Sequence, residues 1–290
     1  MTTVRKTLSL EICLLGLILL TGCGAPRAAD LPTANDLAAA SVAALPPVTG
    51  PALARRVRAN LDIPYERLTY AMELSDSRGV AEQRDVVFHL ATALDGYDYA
   101  YTCFTAPDEI LGFGLMTARK AGADPDQFLY APAAKKVSRV LYFSTNRRSS
   151  FCGTQFTFED LEPLALADFD FDVRGKEPVD GRPCYILESR PKSRFSGYSK
   201  VLNWIDSASA LSLKSVFYDP KGDLLKLGTA RELFEAAPGH WRARSTEIVN
   251  KQTDRATRMR LTGYICATGA LTPEQRRIFT LKTLSQGREQ

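Results

Sequence analysis

The sequence predicts a mainly β chain in which one antiparallel meander curls into a barrel or half-barrel, with short amphipathic helices as plugs. Three observations carry this. About ten segments between Leu68 and Ile265 are apolar or alternate apolar with polar residues, the period of a half-buried strand. Short turn signals separate them, among them Asp95-Gly96, Asp180-Gly181, Asp219-Pro-Lys-Gly222 and Pro238-Gly239. Helical periodicity is confined to brief stretches near the two ends of the chain. A sheet with that many strands cannot stay flat, because strand twist makes it curl around its apolar face.

The first residues read as a targeting segment. Arg5 and Lys6 precede the apolar run Ile12–Leu20, which is too short to span a bilayer. Leu20-Thr-Gly-Cys23 closes that run. It resembles the lipoprotein box of bacteria, which implies a signal peptide over residues 1–22 and acylation of Cys23. Because the box sits where the apolar run ends, lipidation is favoured over a plain secretory leader or an uncleaved anchor. Gly24 stands where an Asp would imply retention in the inner membrane, so the resemblance leans toward the outer membrane. Two or more acyl chains give stable anchoring.

Residues 23–51 are rich in Ala, Pro and Thr and read as a lipidated tether, with a weak helix over Asp36–Leu45 ended by Pro46-Pro47. Leu53, Val57 and Leu61 then share one face of a short helix with arginines opposite. No break in composition follows, so residues 52–290 are expected to form one domain. The strands come next, in the order Leu68–Leu74, Asp85–Leu90, Tyr97–Phe104, Gly112–Arg119, Gln127–Tyr130 and Lys136–Phe143. An aromatic-rich loop, Ser150–Leu161, interrupts them, and further strands run from Phe171 to Ile265. Thr272-Pro-Glu-Gln275 is a capping box with Pro at the first helical position, so a short helix is expected there.

Composition narrows the chemistry. A net charge of +4, evenly spread, gives no footprint for nucleic acid. Only His89 and His240 are present, which removes most histidine-based metal and acid–base constellations. There is no GxSxG, HExxH, P-loop or GxGxxG pattern, and no cofactor is expected. Cys103, Cys152, Cys184 and Cys266 show no CxxC spacing. A Cys103–Cys152 bridge is compatible with an oxidising compartment, and Cys184, in an apolar strand, reads as a buried thiol. A cysteine hydrolase, Cys152 with His89 brought near by the fold, is the weakest functional reading.

Several stretches, in order, are similar to one known family. They are Asp126-Gln-Phe-Leu-Tyr-Ala-Pro-Ala-Ala-Lys-Lys-Val137, Ser150-Phe-Cys-Gly-Thr-Gln-Phe-Thr-Phe-Glu-Asp-Leu161, Val179-Asp-Gly-Arg-Pro-Cys-Tyr185, Ser196-Gly-Tyr-Ser-Lys200, Trp204-Ile-Asp206 and Tyr218-Asp-Pro-Lys-Gly222. Over roughly Leu68 to Leu284 the chain resembles the LolA/LolB-like outer membrane lipoprotein-sorting proteins. The resemblance implies a single strongly curved antiparallel sheet, an unclosed half-barrel with helices over its concave face, which holds acyl chains. It also implies a partner in a lipid or in the acyl chains of lipoproteins, a membrane reached through the lipid anchor, and a link to exporters of the resistance-nodulation-division type.

The candidate cavity lining is Phe128 and Tyr130, two apart on one strand face, with Val140 and Tyr142 joining them across the hairpin. Phe151, Phe156 and Phe158 are read as a flap, either packed over the barrel mouth or touching membrane, and Trp204 completes the set. Glu159 and Asp160 are adjacent and so point apart; they are expected to shape the loop rather than form an acid–base centre. Lys135-Lys136 and Arg147-Arg148 are read either as contacts to anionic head groups or as a solvated turn. The leading expectation is a lipid-anchored carrier on the periplasmic side of a bacterial membrane. The alternative is an envelope sensor or adaptor whose half-barrel docks a protein partner.

Overall fold

The computed structural model describes residues 34–79 and 81–287. The lipoprotein box and Cys23 lie outside the described residues. Two helices come first, α1 (Ala34–Ala43) and α2 (Gly50–Asn60). Six strands follow: β1 (Tyr65–Ser75), β2 (Ala81–Leu94), β3 (Tyr97–Ala106), β4 (Gly114–Lys120), β5 (Asp126–Ala131) and β6 (Lys136–Val140). After a long connection come β7 (Phe169–Val179), β8 (Arg182–Pro191), β9 (Lys200–Asp206), β10 (Ser212–Tyr218), β11 (Leu224–Ala237), β12 (His240–Asn250) and β13 (Arg255–Ala267). Helices α3 (Pro273–Ile278) and α4 (Leu281–Gln286) end the described chain. Thirteen strands form among the described residues where about ten were expected, and several, such as Leu224–Ala237, run well past the window that their alternation marks.

All thirteen strands form one antiparallel sheet in the order β6-β5-β4-β3-β2-β1-β13-β12-β11-β10-β9-β8-β7. The two edges, β6 and β7, do not pair, so the sheet is an open half-barrel. Its curvature follows from what the short elements reach. Arg58 of α2 bonds Asp98 of β3 at 2.7 Å, while Arg56 bonds the carbonyl of Ser207, just past β9. Seven strand spacings separate β3 from β9, about 34 Å in a flat sheet. A helix of 11 residues spans only about 16 Å. The sheet therefore wraps α2.

Strand alternation assigns the two faces. On the concave face, Leu53 and Ala54 of α2 pack on Tyr185, Leu187 and Ile205, with Leu45 and Val48 beside them. The segment read as tether thus lies on the sheet from α1 onward, and Tyr185 donates its hydroxyl to the carbonyl of Pro46 at 2.9 Å. On the outer face, Phe279, between the two C-terminal helices, and Leu284 of α4 cover Tyr65, Val87, Tyr101, Cys103 and Met116. The expected capping box forms: Thr272 accepts from the amide of Gln275, whose side chain accepts in return from the amide of Thr272.

The connection from Leu141 to Asp168 joins the two unpaired edges, and to do so it crosses the concave interior. Gln127 of β5 donates to the carbonyl of Phe158 at 2.9 Å, and Lys226 of β11 meets Asp160 at 2.6 Å. Those strands too are seven spacings apart, yet they grip residues two apart in sequence. This connection is the flap.

Candidate functional site

The flap is held by a network of buried polar contacts as well as by its aromatics. Phe151 stacks on Phe104 with centroids 5.5 Å apart and meets Phe158 and Phe113 edge-on. Phe156 and Leu161 join the same cluster, over Met72, Val86, Leu115 and Met259 of the sheet. Beneath them Arg147 grips Glu162 with two bonds of 2.7 Å and reaches Glu159 at 3.0 Å. Glu159 also accepts from the Ser196 hydroxyl at 2.6 Å and the amide of Gly197 at 2.7 Å. Burial pushes both glutamates up from the usual carboxylate value, against the pull of Arg147. Asp160 points elsewhere, accepting from Tyr198 at 2.7 Å, the amide of Thr157 at 2.7 Å and Lys226. The two adjacent carboxylates shape the loop: Glu159 ties Arg147 to the Ser196–Gly197 turn, and Asp160 ties the flap to Tyr198 and Lys226.

Beside this network lies an apolar cavity of about 260 Å³. Its walls come from three elements: Arg58 and Leu61 at the end of α2, Phe88, Leu90, Ala100 and Thr102 of β2 and β3, and Leu161, Pro163 and Leu164 of the flap. Charged groups at its margin arrive already paired. Glu66 is bonded by Arg242 at 2.8 Å and Tyr264 at 2.6 Å, Asp98 by Arg58, Asp160 by Lys226 and Glu162 by Arg147. A cavity whose ions are internally neutralised presents mostly hydrocarbon to a guest.

The structure distributes the eight candidate lining residues over both faces. Phe128 and Tyr130 pack on the outer-face cluster under α4. Val140 does not join them, because it pairs with Gln127, whereas Phe128 pairs with Arg139 and Tyr130 with Val137. That one-residue parity sends Val140 to the concave cluster with Leu129. Tyr142 lies under the Arg147 guanidinium, 4.5 Å from its ring centroid. Phe151, Phe156 and Phe158 form the packed flap. Trp204 is on the outer face, its indole donating to Glu177 at 2.8 Å and its ring under Lys214. The expected grouping of Phe128, Tyr130 and Trp204 with the flap is thereby corrected: all three sit on the side of the sheet facing away from it.

Other expectations are also decided by the structure. Arg147, read as a head-group contact or a solvated turn residue, is buried and fully engaged with carboxylates. Arg148 donates to the carbonyls of Phe195 and Arg194, while Lys135 and Lys136 are exposed. Cys103 faces α4 and Cys152 faces the flap cluster, so the sheet separates them and no bridge forms. Cys184 is a buried thiol. Burial pushes the Cys152 thiol up to about 12, and His89 is on the other face, bonded to Tyr65 at 2.8 Å. That geometry holds no thiolate–imidazole pair. Among the described residues no group of three or more His, Cys, Asp and Glu side chains is placed to hold a metal, and no helix is long and apolar enough to cross a membrane.

The sequence reading missed Phe88, Leu90, Ala100 and Leu164 as cavity residues. A signal existed: Val86, Phe88 and Leu90 are apolar at every second position, the mark of a buried face in a strand that also buries Val87 and Ala91 opposite.

A family model whose description reads "-like: Uncharacterized protein" matches residues 96–286. No curated protein matches the chain. Among solved structures, a candidate outer membrane lipoprotein-sorting protein domain from Vibrio parahaemolyticus is 27% identical, with a TM-score of 0.74 over 81% of this chain and 98% of that one. A DUF1329 family protein from Desulfovibrio piger is 23% identical, with a TM-score of 0.73 over 81% of this chain and 97% of the other. A LolA superfamily protein from Nitrosomonas europaea shares the fold at 16% identity, with a TM-score of 0.61 over 82% of this chain and 100% of the other.

Proposed function

The chain belongs to the family whose model spans residues 96–286 and has a LolA-like lipoprotein-sorting fold, and from that premise we propose that it is a carrier of lipid or of lipoprotein acyl chains. The observation that carries this reading is the apolar cavity of about 260 Å³ between α2, the β2–β3 hairpin and the flap. Burying a chain there releases about 0.8 kcal/mol per methylene. That is enough to hold a lipid out of water and too little to pull one from a bilayer unaided. Transfer would therefore run between the carrier and partners of differing affinity. The cavity lies below the ~300–1,000 Å³ of ordinary small-molecule sites. Occupancy by a full-length chain requires Pro163 and Leu164 of the flap, beyond the Arg147–Glu162 clamp, to yield.

Anchoring through acylated Cys23, on the periplasmic side and by preference of the outer membrane, completes the proposal. Service to an exporter of the resistance-nodulation-division type rests on the family resemblance. Two experiments test the core of it. Organic extraction of the purified chain followed by mass spectrometry should yield stoichiometric lipid, and a fluorescent fatty acid should bind; failure of both favours the adaptor reading. A Cys23→Ser chain should leave the membrane fraction, and its full retention there would refute the anchor.

A further inference from the structure

Among the described residues, the most exposed large apolar side chains are Phe143, at 64%, and Leu141, at 56%. They stand two apart just past β6, where the flap leaves the sheet. The Phe143 ring meets Phe195, in the connection between β8 and β9, with centroids 5.8 Å apart. Strand β6 is one edge of the sheet and β8 lies next to the other, so this apolar patch sits on the seam of the half-barrel. Cations accompany it. Arg194 lies over the Phe195 ring at 4.8 Å, and Arg148 donates to the carbonyls of Phe195 and Arg194. Neither arginine has a carboxylate partner among the described residues. Arg139, two residues before Leu141, pairs with Asp126, and Lys192, two before Arg194, pairs with Asp170. Four cations and two carboxylates leave the patch positive.

Resting on the anchor at Cys23, we propose that the seam is a docking surface for an anionic bilayer. Leu141, Phe143 and Phe195 enter the acyl boundary, and Arg148 and Arg194 meet the lipid phosphates. Apolar tips set among arginines and lysines are the composition of an interfacial membrane contact, in which burial and attraction to anionic head groups act together. The course of the chain agrees. Helix α1 lies against β7 and β8, and Cys23 precedes it by eleven residues, at most about 40 Å of extended chain. A chain anchored there keeps its β7 edge, and the seam with it, within reach of the membrane. The similarly exposed Ile265, at 55%, has no such setting. It lies on β13, the middle strand of the thirteen, and points outward because its neighbour Tyr264 turns inward to Glu66.

Fluorescence quenching on vesicles tests this. The full chain is transferred from detergent to vesicles of pure phosphatidylcholine, or of phosphatidylcholine and phosphatidylglycerol in equal parts, each with brominated acyl chains. After subtraction of the emission of Trp204 and Trp241 in the parent chain, Phe143→Trp should be quenched on the mixed vesicles and lose most of that quenching on pure phosphatidylcholine. Ile265→Trp should be quenched on neither. Leu141→Trp serves as a second probe of the patch. Adding Arg194→Glu to the Phe143→Trp chain should remove the difference between the two vesicles, as should high salt. Equal quenching on both vesicles, or a difference that survives Arg194→Glu, overturns the proposal. Quenching of both patch probes no stronger than that of Ile265→Trp also overturns it and leaves the patch to a protein partner. Flotation separates the anchor from the docking surface. A chain that floats with both vesicles without quenching keeps the anchor and loses the docking surface. A chain that floats only with mixed vesicles keeps the docking surface and loses the anchor. If it floats with neither, both fall.

Discussion

Lys226 is a lysine with 2% of its side chain exposed, and its surroundings explain how a buried ammonium is tolerated. It bonds Asp160 at 2.6 Å and the carbonyl of Gln155 at 3.0 Å, and it faces the rings of Tyr198 and Phe217 at 5.0 and 5.1 Å. Replacing it with methionine keeps the apolar stem and strands the Asp160 carboxylate. Breaking one side of a buried pair costs about 3–5 kcal/mol. Lys226→Met should therefore lower Tm by about 10 °C in a thermal melt, and adding Asp160→Asn should recover part of that loss. A second residue-scale prediction concerns acid. Burial alone would push the Asp206 carboxyl up, but Arg182 and the Ser209 amide and hydroxyl outweigh it and hold the carboxyl below the ordinary value of 3.8. A group depressed in the folded state contributes stability above its unfolded value and loses it as pH falls through the folded one. Arg182→Gln should therefore move the midpoint of acid unfolding to higher pH, as followed by circular dichroism.

At the scale of elements, α2 is held in the half-barrel by a close backbone approach as much as by its leucines. Gly50 opens the helix, capped by the Thr49 hydroxyl, and a Cβ there would stand 2.2 Å from the carbonyl oxygen of Phe171. The obstacle is main chain of an edge strand, so helix or strand must shift. Gly50→Ala should cost about 1–3 kcal/mol and loosen α2 from β7, read as faster amide exchange in α2 while α3 and α4 keep their protection. The flap behaves as part of the core for the same kind of reason: Phe151 is 2% exposed and bracketed by rings from β3 and from the β3–β4 connection. Its rigid part is the aromatic cluster and the Arg147 network. Pro163 and Leu164, which follow the Arg147–Glu162 clamp and line open space, are the portion left to yield to a ligand.

For the whole molecule, a ligand that fills the concave face binds the folded chain and not the unfolded one. Lipid at a hundredfold excess over Kd should add about 2.7 kcal/mol of stability, so a delipidated chain should gain several degrees in Tm on reloading. A chain whose Tm ignores every lipid tested would argue for the adaptor reading. Much of this architecture was legible beforehand. Alternation marked the strands, Asp-Gly and Pro-Gly pairs marked the hairpins, Thr272-Pro-Glu-Gln275 marked α3, and the number of strands forced the sheet to curl. The adjacency of Glu159 and Asp160 spoke against a shared acid–base centre, and in the 3-10 turn Glu159–Leu161 the two side chains do take separate partners.

Which face each aromatic occupies was decided only in three dimensions. Phe128, Tyr130 and Trp204 alternate as any lining residue would, and period two says that residues share a side without saying which side is concave. That choice belongs to the elements that come to lie on the sheet. Helix α2 and the flap took one face, and the C-terminal helices took the other. Val140 shows the sensitivity: pairing with Gln127 rather than Phe128 moved it to the opposite side. The cavity itself is a property of no single stretch, since its walls are separated by more than a hundred residues and meet because β6 and β7, left as unpaired edges, are joined by a connection that must cross the interior. The sequence by itself determined the sheet and its curl through local periodicity and turn chemistry. The inside, and the space within it, was determined by long-range packing.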